Sequence, residues 1–221
     1  MDTLIVSPES GLKSFENYNI VYTCENTHIL TYERFHADMQ VCVIDDAVIV
    51  PPCFFNYYKT HLKNKNVLKG LLNPFGHYPN SAAYNVAVVK NYAICNEDIA
   101  DKVIIEKLKS LGKQIINVKQ GYSKCSVCIT GDGIITSDKG IYNAAEGKIP
   151  SLLISPGNIS LPGCEYGFIG GASGFDGRLI FAGDITNHPD FLRIENFLRE
   201  TETEYICLPG SLCDYGTLIF L

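Results

Sequence analysis

Short apolar runs along the chain come in pairs, and a polar turn separates the two members of each pair. The turns contain Asp45-Asp46, Lys90-Asn91, Gly131-Asp132-Gly133 and Asp176-Gly177. The runs beside them span residues 39–44 and 47–50, 85–89 and 92–95, 126–130 and 134–136, and 172–175 and 178–181. Turns rich in Asp, Asn and Gly between such runs are hairpin signals, because these residues accept positive φ. The pattern therefore predicts four β-hairpins.

Each predicted hairpin is followed by a helix-like segment and then by another short apolar run. The helix-like segments span residues 54–62, 97–111, 139–146 and 189–199, and the runs that follow span residues 67–72, 114–118, 151–154 and 205–208. Apolar residues keep helical spacing in the second segment. The fourth opens with Asn187 as a cap residue and Pro189 near the first turn. The repeating unit is therefore strand, strand, helix, strand.

The spacing of these units predicts a ring. The turns start at Asp45, Lys90, Gly131 and Asp176, 41 to 45 residues apart, which is a period typical of repeat architectures. One more step reaches the chain end, so we expect residues 216–221 to be the first strand of a fifth unit. Residues 3–7, 11–18 and 20–23 would complete that unit as a strand, a short helical turn and a strand. Pairing the termini would remove sheet edges. We expect an α/β fold in a single domain over residues 1–221.

One segment indicates chemistry rather than packing. Residues 119–126, with the sequence KQGYSKCS, lie between two strand-like runs of the third unit. They place the Cys125 thiol beside the Lys124 ammonium at the predicted entrance of a strand. A neighbouring cation favours the thiolate, which is the nucleophilic form of cysteine. The alternative interpretation is a small apolar residue at a crowded strand start, where free cysteine is common.

Composition and charge narrow the classes of function. The net charge is −6, which argues against general binding to nucleic acid or to anionic membranes, since both need a basic surface. No window carries the roughly 18 apolar residues of a membrane span, and residues 1–8 lack the pattern of a signal peptide. The nine cysteines are odd in number and show no disulfide framework. We therefore expect reduced thiols and a cytoplasmic protein.

Cys125 and Cys128 form a C-x-x-C motif that we do not interpret as a metal or redox pair. If the segment is a strand, positions three apart point to opposite faces. A redox pair prefers a helix N-terminus, and no second C-x-x-C exists to complete a zinc site. We expect no bound metal, and the sequence contains no cofactor motif.

Four segments carry a resemblance to a known family. They are residues 36–40 (HADMQ), 119–126 (KQGYSKCS), 166–174 (YGFIGGASG) and 181–184 (FAGD). Together with the five units, they resemble the signature blocks of an uncharacterised bacterial pentein-like family, a domain of unknown function. The resemblance covers nearly the whole chain. It implies the pentein fold, the five-unit α/β-propeller of guanidine-modifying enzymes.

The active enzymes of the pentein fold include arginine deiminases, dimethylarginine hydrolases and amidinotransferases. They use a nucleophilic cysteine in the last unit, a histidine general acid/base in the preceding unit, and carboxylates that hold the guanidinium. In this chain Cys213 lies in the last unit, several residues before the strand. His188, the histidine of the fourth unit, belongs to the predicted helix cap. The usual placement of the catalytic groups is therefore not reproduced.

In a ring of this kind, the residues at the starts of the first strands converge on one axial pocket. We expect this pocket to hold a small-molecule ligand and to be lined by His36, Asp38, Met39, Gln40, Asn85, Lys124, Cys125, Ser126, Gly170, Gly171, Ala172, Ser173, Cys213 and Asp214. His36 and Asp38 form an H-x-D pair in which the carboxylate can orient a proton-carrying imidazole. The glycine-rich segment lacks the Lys-Ser/Thr ending of a phosphate loop.

Two hypotheses follow for function. In the first, the chain is a hydrolase or transferase that acts on a guanidino or amidino compound. Its catalytic residues would be Cys125, His36 and Asp38, and its substrate-binding residues would be Asp214, Lys124, Asn85, Gln120 and Ser173, with Cys213 as the alternative nucleophile. In the second, it is a non-catalytic pentein that binds a ligand or a protein partner. Fold alone does not decide between them.

Overall fold

The described part of the chain, residues 2–221 of a computed structural model, contains five three-stranded sheets. Their strands are β1 (Thr3–Val6), β2 (Asn19–Tyr22), β3 (Cys42–Ile44), β4 (Ala47–Val50), β5 (Asn66–Lys69), β6 (Ala87–Val89), β7 (Tyr92–Cys95), β8 (Gln114–Asn117), β9 (Val127–Ile129), β10 (Ile134–Thr136), β11 (Ser151–Leu153), β12 (Ser173–Phe175), β13 (Leu179–Phe181), β14 (Tyr205–Cys207) and β15 (Ile219–Phe220).

Four sheets repeat one plan. Their orders are β3-β4-β5, β6-β7-β8, β9-β10-β11 and β12-β13-β14, and we number these sheets first to fourth. In each, the first two strands form an antiparallel hairpin and the third strand is parallel to the second. A parallel neighbour needs a crossover connection, which a helix supplies. The predicted strand, strand, helix, strand unit is thereby confirmed.

The fifth sheet combines both ends of the chain in the order β15-β1-β2. Strand β15 pairs antiparallel with β1, where Leu4 lies opposite Phe220. One residue past β15, Leu221 exchanges two backbone hydrogen bonds of 3.0 and 2.9 Å with Thr3 of β1. The predicted pairing of the two termini is confirmed.

Helices connect the second and third strands of the first four sheets. The α-helices are α1 (Phe55–His61), α2 (Lys102–Ser110), α3 (Ser123–Ser126), α4 (Lys139–Ala145) and α5 (Phe191–Glu200), of which α3 instead precedes β9. Side chains cap two of them: Asp101 accepts from the Val103 N–H at 2.9 Å, and Asp138 accepts from the Ile141 N–H at 2.9 Å. Helix α2 buries Ile104 and Leu108, which lie on one face because they are four residues apart.

Five apolar clusters join the sheets in cyclic order. Four of them lie between consecutive sheets, from the first and second to the fourth and fifth. The remaining cluster lies between the fifth sheet and the first, where Ile5 and Ile219 pack with Val48 and Tyr58. Every sheet therefore packs against two neighbours, and burial of apolar side chains between them holds the five units together.

The first strand of each sheet also contributes to one shared cavity of about 170 Å³, which we call the axial cavity. Its apolar lining comes as pairs of residues two apart, such as Val41 with Val43 and Val86 with Val88. Residues two apart on a strand face the same side. The inner faces of β3, β6, β9, β12 and β15 therefore meet around a common space.

The local structure differs from the sequence prediction at four places. Residues 11–18 do not form a helical turn; the short 3₁₀ turn lies earlier, at Pro8–Ser10. The helix predicted from residue 97 begins only after the Asp101 cap, and the helix predicted from residue 189 begins at Phe191 after Asp190. Cys125 lies in helix α3 and not at the start of a strand. Within residues 2–221, no helix has the length and apolar character to cross a membrane.

Candidate functional site

The H-x-D segment forms a tight turn that points inward. His36 precedes a 3₁₀ turn at Ala37–Met39, and both His36 and Asp38 are buried. The Asp38 N–H donates to the Gly216 carbonyl at 3.0 Å, which ties the turn to the fifth unit. A Cβ at Gly216 would overlap the His36 side chain, and Gly216 has φ of +76°. This position therefore needs glycine so that His36 can pack against the backbone.

Asn85 fixes the position of Cys125 through three hydrogen bonds. Its Oδ1 accepts from the backbone N–H groups of Lys124 and Cys125 at 2.6 and 3.0 Å. Its Nδ2 donates to Cys125 Sγ at 2.9 Å. These contacts join the start of the second unit to α3 and aim the thiol at the H-x-D turn. Sequence repeats had placed Asn85 near this site, and the contacts explain its presence.

His36, Asp38 and Cys125 form one buried cluster. A ligand-capable atom from each side chain lies within 4.8 Å of the other two. Asp38 is 0% exposed and Cys125 is 4% exposed. Asp38 Oδ2 accepts from the Thr217 hydroxyl at 2.7 Å, whereas Oδ1 has no hydrogen-bond partner within residues 2–221. A fully buried carboxylate oxygen without a partner costs free energy, and the Cys125 thiol lies beside Asp38 as a side-chain donor.

The backbone beside Asp38 is strained. Thr217 has φ of +73°, which is a rare conformation for a β-branched residue. Its hydroxyl lies 3.0 Å from the Gly170 carbonyl as well as 2.7 Å from Asp38. Strain of this kind costs on the order of 1–3 kcal/mol and clusters at functional sites.

Asp214 is a second buried carboxylate at the cluster. Its oxygens accept from the N–H groups of Phe168 and Gly216 at 2.8 and 2.9 Å, and Oδ1 lies 3.9 Å from His36 Nδ1. A Cβ on Gly171 would overlap this carboxylate. The glycine-rich segment therefore allows the backbone to approach Asp214 closely.

Glu33 is a third acidic group near the cluster, and sequence analysis missed it. It is buried, and one of its carboxylate oxygens has no hydrogen-bond partner in the described chain. Burial raises the pKa of Glu33 to about 7, and the nearby charges of Asp38 and Asp214 add to the increase. The signal that could have found it is its place three residues before His36, where its carbonyl accepts from the His36 N–H at 2.9 Å.

Burial shifts the pKa of each of these groups in the direction that disfavours its charged form. Burial lowers the pKa of His36, although Asp38 opposes the change. Burial also raises the pKa of Asp38 and raises that of Asp214 to about 6. Burial, followed by the charges of Asp38 and Asp214, raises the pKa of Cys125 well above its ordinary value. The expectation that Lys124 would hold Cys125 as a thiolate is therefore wrong for the ligand-free protein.

An open cavity of about 470 Å³ reaches one side of the cluster. His36, Asp214 and Cys213 line it together with Glu9, Tyr32 and Arg34. Asp38 and Cys125 do not line it, so a ligand in this cavity would meet His36 and Asp214 first. Cys213 is also largely buried, and burial raises the pKa of its thiol.

The remaining candidate residues lie elsewhere. Lys124 and Ser173 line the axial cavity, and the Ser173 hydroxyl donates to the Gly170 carbonyl at 3.2 Å. Gln120 lies at a separate surface cavity, where its amide donates to Asp138 at 3.1 Å. His188, expected as an outer cap, is buried and accepts from the Asp190 N–H at 3.1 Å. The structure brings Asn85 and Asp214 to the cluster and does not bring Gln120 there.

The cluster is also a possible donor set for a transition metal. An imidazole nitrogen, a carboxylate oxygen and a thiolate sulfur are ligands that zinc accepts in three-residue sites. Asn85 and Thr217 bond to Cys125 and Asp38 as outer-shell groups do around metal ligands. Cys128 is not part of this set, because it packs in the apolar cluster between the third and fourth sheets.

Comparison with known proteins shows the family to which the chain belongs. No curated protein matches the chain. Among solved structures, the chain is similar to DDAH from Pseudomonas aeruginosa, a mutant complexed with citrulline. The two share 10% sequence identity with a TM-score of 0.45, over 79% of this chain and 69% of the other. This is a loose likeness. The model of a family described as a family of unknown function, DUF6873, matches residues 7–219, and the chain therefore belongs to that family.

Proposed function

We propose that this protein is a cysteine-dependent enzyme of the guanidine-modifying type, built as a closed five-unit α/β-propeller. Its substrate would be a small guanidino or amidino compound, with Cys125 as nucleophile and His36 as general acid/base. The observation that carries the proposal is the juxtaposition of His36, Asp38 and Cys125 within 4.8 Å, with Asp38 Oδ1 lacking a partner.

The three buried acids support a cationic substrate. Glu33, Asp38 and Asp214 each have a raised pKa because burial disfavours their charged forms. A planar guanidinium presents several N–H donors that match carboxylate oxygens. One such donor would satisfy Asp38 Oδ1. Binding of the cation would thus remove the cost of leaving these carboxylates buried without a counter-ion.

The same cation would activate the nucleophile. Asp38 and Asp214 raise the pKa of Cys125, so neutralising them with a bound cation lowers it. A ring nitrogen of His36 lies within 4.8 Å of the Cys125 sulfur, so the thiol proton would reach it through one bridging water or after a small shift on substrate binding. The thiol would therefore remain unreactive in the free protein and ionise only when substrate is present.

The proposed reaction proceeds in two halves. His36 accepts the Cys125 proton, and the sulfur forms a bond to the guanidino carbon while a C–N π electron pair moves to nitrogen. The imidazolium then protonates the leaving nitrogen, the C–N bond breaks, and ammonia or an amine departs. Next, His36 takes a proton from water, whose oxygen bonds to the same carbon. The C–S bond breaks, a ureido product leaves, and the thiol is restored.

Access from the open cavity favours Cys213, whereas the geometry of the buried cluster favours Cys125. The open cavity meets His36, Asp214 and Cys213, whereas Cys125 lies deeper. A substrate that enters by this cavity must pass its cationic end beyond His36 to reach Cys125. Cys213 therefore remains the alternative nucleophile.

A screen of guanidino, amidino and ureido compounds tests the proposal, with ammonia release as the readout. We expect Cys125→Ser to abolish turnover and Cys213→Ser to retain it. Mass spectrometry of protein quenched during turnover should locate a covalent adduct on Cys125. An adduct on Cys213 would show that Cys213, and not Cys125, is the nucleophile. A metal that co-purifies on Cys125 would contradict the mechanism, because a ligated thiolate is not free to attack.

A non-catalytic, ligand-binding role is the second candidate. The observation that favours it is the deep burial of Cys125 as a thiol. Binding of a guanidino compound without turnover or adduct, measured by calorimetry in wild type and Cys125→Ser alike, would support this role over catalysis.

A further inference from the structure

Among residues 2–221, Lys124 is the one charged side chain that lines the axial cavity. Its side chain is half-buried, since part of it faces this cavity. Within residues 2–221, its amine makes no hydrogen bond and no ion pair. Burial lowers the pKa of Lys124, although the charge of Asp38 opposes the change. An unpaired amine in such a place is costly, and a bound partner would offset the cost.

The walls around Lys124 are apolar. Half-buried Val43, Val88, Ile129, Phe175 and Phe220, one from each sheet, line the cavity. The deeper lining adds Val41, Val86 and Leu218, which are buried. This arrangement suits a ligand with an apolar body that enters past the half-buried ring.

At the polar end of the cavity, the side-chain donors limit which polar group of a ligand can bind. The Ser173 hydroxyl donates to the Gly170 carbonyl, and the Thr217 hydroxyl donates to Asp38 or Gly170. The Lys124 amine is therefore the side-chain donor that remains for a ligand. A hydrogen-bond acceptor with negative charge would pair with it, and a cation would be repelled.

Size and charge define the ligand further. An apolar cavity of roughly 150 Å³ takes up a molecule the size of benzene, and the axial cavity measures about 170 Å³. A phosphate dianion would place two charges against one ammonium in apolar surroundings. A carboxylate carries one charge, which matches the single amine.

We propose that the axial cavity is a binding site for a small apolar monocarboxylate, with Lys124 as its counter-ion. The site is separate from the buried group around Asp38, which we call the acidic cluster and which would take a cation. Thr217 contacts both regions, because its hydroxyl bonds to Asp38 and its side chain lines the cavity.

The test compares three probes of one size: benzoate, benzyl alcohol and benzylammonium. Binding is measured at neutral pH by calorimetry and by ligand-observed NMR on the intact wild-type protein. We expect benzoate to bind at least tenfold more tightly than benzyl alcohol, and benzylammonium to bind more weakly than both. This series needs no variant, so its result does not depend on the folding of a mutant.

Two variants assign the binding to Lys124. We expect Lys124→Met, which keeps length and removes charge, to lose at least tenfold in benzoate affinity while benzyl alcohol affinity stays unchanged. Lys119→Met is the matched control, because Lys119 is an exposed lysine five residues before Lys124. Equal binding of benzoate and benzyl alcohol, no binding of benzoate, or unchanged benzoate affinity in Lys124→Met would overturn the proposal. The outcome is independent of guanidino turnover, since none of these readouts involves Cys125.

Discussion

The acidic cluster and the axial cavity have opposite physical characters, although they contain two residues that are adjacent in the sequence, Cys125 and Lys124. Cys125 belongs to a polar, buried group with Asp38, Asp214 and His36 around it. Lys124 faces apolar walls contributed by five strands. Helix α3 separates them, because successive residues on a helix point about 100° apart. Adjacent residues on this helix therefore face different surroundings, although the charge of Asp38 acts on both the Cys125 thiol and the Lys124 amine.

The largest expected effect comes from crowding the acidic cluster. In Gly171→Ala, the new Cβ would overlap Asp214, whose two backbone hydrogen bonds hold it in place. We expect the free energy of unfolding to fall by about 3 kcal/mol or more. Gly131→Ala is the control, since its Cβ would meet nothing closer than 3.5 Å. Chemical denaturation measures both. Equal stability of the two variants would show that the backbone does not constrain Asp214.

The next effect comes from removing a donor to Asp38. Thr217→Val keeps the shape and the strained backbone but loses the hydroxyl that donates to Asp38 Oδ2 at 2.7 Å. Because the buried carboxylate would then lose a partner, we expect a loss of about 2 kcal/mol in unfolding free energy at neutral pH. Thr60→Val, at an exposed helix position, is the control, and it should change the free energy of unfolding by only a few tenths of a kcal/mol. No loss in Thr217→Val would mean that Asp38 is not charged in the folded protein.

The pH dependence of stability probes the acids as a group. The pKa values of Asp214 and Glu33 are about 6 and about 7 in the folded protein, above the roughly 4 of unfolded carboxyls. At pH values between the unfolded and folded pKa, the folded state therefore binds more protons than the unfolded state. The free energy of unfolding then falls as pH rises from about 4 to about 7. Glu33→Gln should reduce this fall by about 1–2 kcal/mol. Urea denaturation across this pH range measures the change. A free energy of unfolding that rises with pH would contradict the raised pKa values of these acids.

The smallest effect has the opposite sign and belongs to the axial cavity. Lys124→Met removes an unpaired amine from apolar surroundings, so we expect unfolding free energy to increase by about 1 kcal/mol. Lys119→Met should leave it unchanged. Destabilisation by Lys124→Met would reveal a stabilising partner for the amine and would erase the contrast between the two regions.

Much of the fold could be predicted from local signals. The hairpin turns are an example: Asp45 and Lys90 adopt φ of 51° and 50°, as residues of such turns do. The pairing of the termini followed from the repeat spacing. The helical turn predicted at residues 11–18 failed, because that unit has only a short 3₁₀ turn at Pro8–Ser10. Its apolar residue Phe15 packs in a core cluster without forming a helix.

The candidate site was predictable only in part. The repeats placed His36, Asp38, Asn85 and Cys125 together because equivalent positions in each unit approach one axis. They could not show that Cys125 lies in a helical turn, so that Lys124 lines the axial cavity while Cys125 joins the buried cluster. Nor could the repeats show that Glu33 lies near the cluster, because it belongs to a loop outside the repeating unit. Side-chain directions and irregular loops depend on tertiary contacts, which repeat spacing does not encode.

The most direct test of the account is a titration of the Cys125 thiol. The ultraviolet absorbance of the thiolate is followed against pH in wild type and in Cys125→Ser, and the difference is assigned to Cys125. The titration is repeated with methylguanidinium, far below denaturing concentrations, and with sodium chloride at matched ionic strength. We predict that Cys125 ionises well above the ordinary range alone and that methylguanidinium lowers its pKa by at least about one unit. A pKa that methylguanidinium leaves unchanged, or a thiolate already formed at neutral pH without it, would contradict the claim that a cationic substrate activates this cysteine.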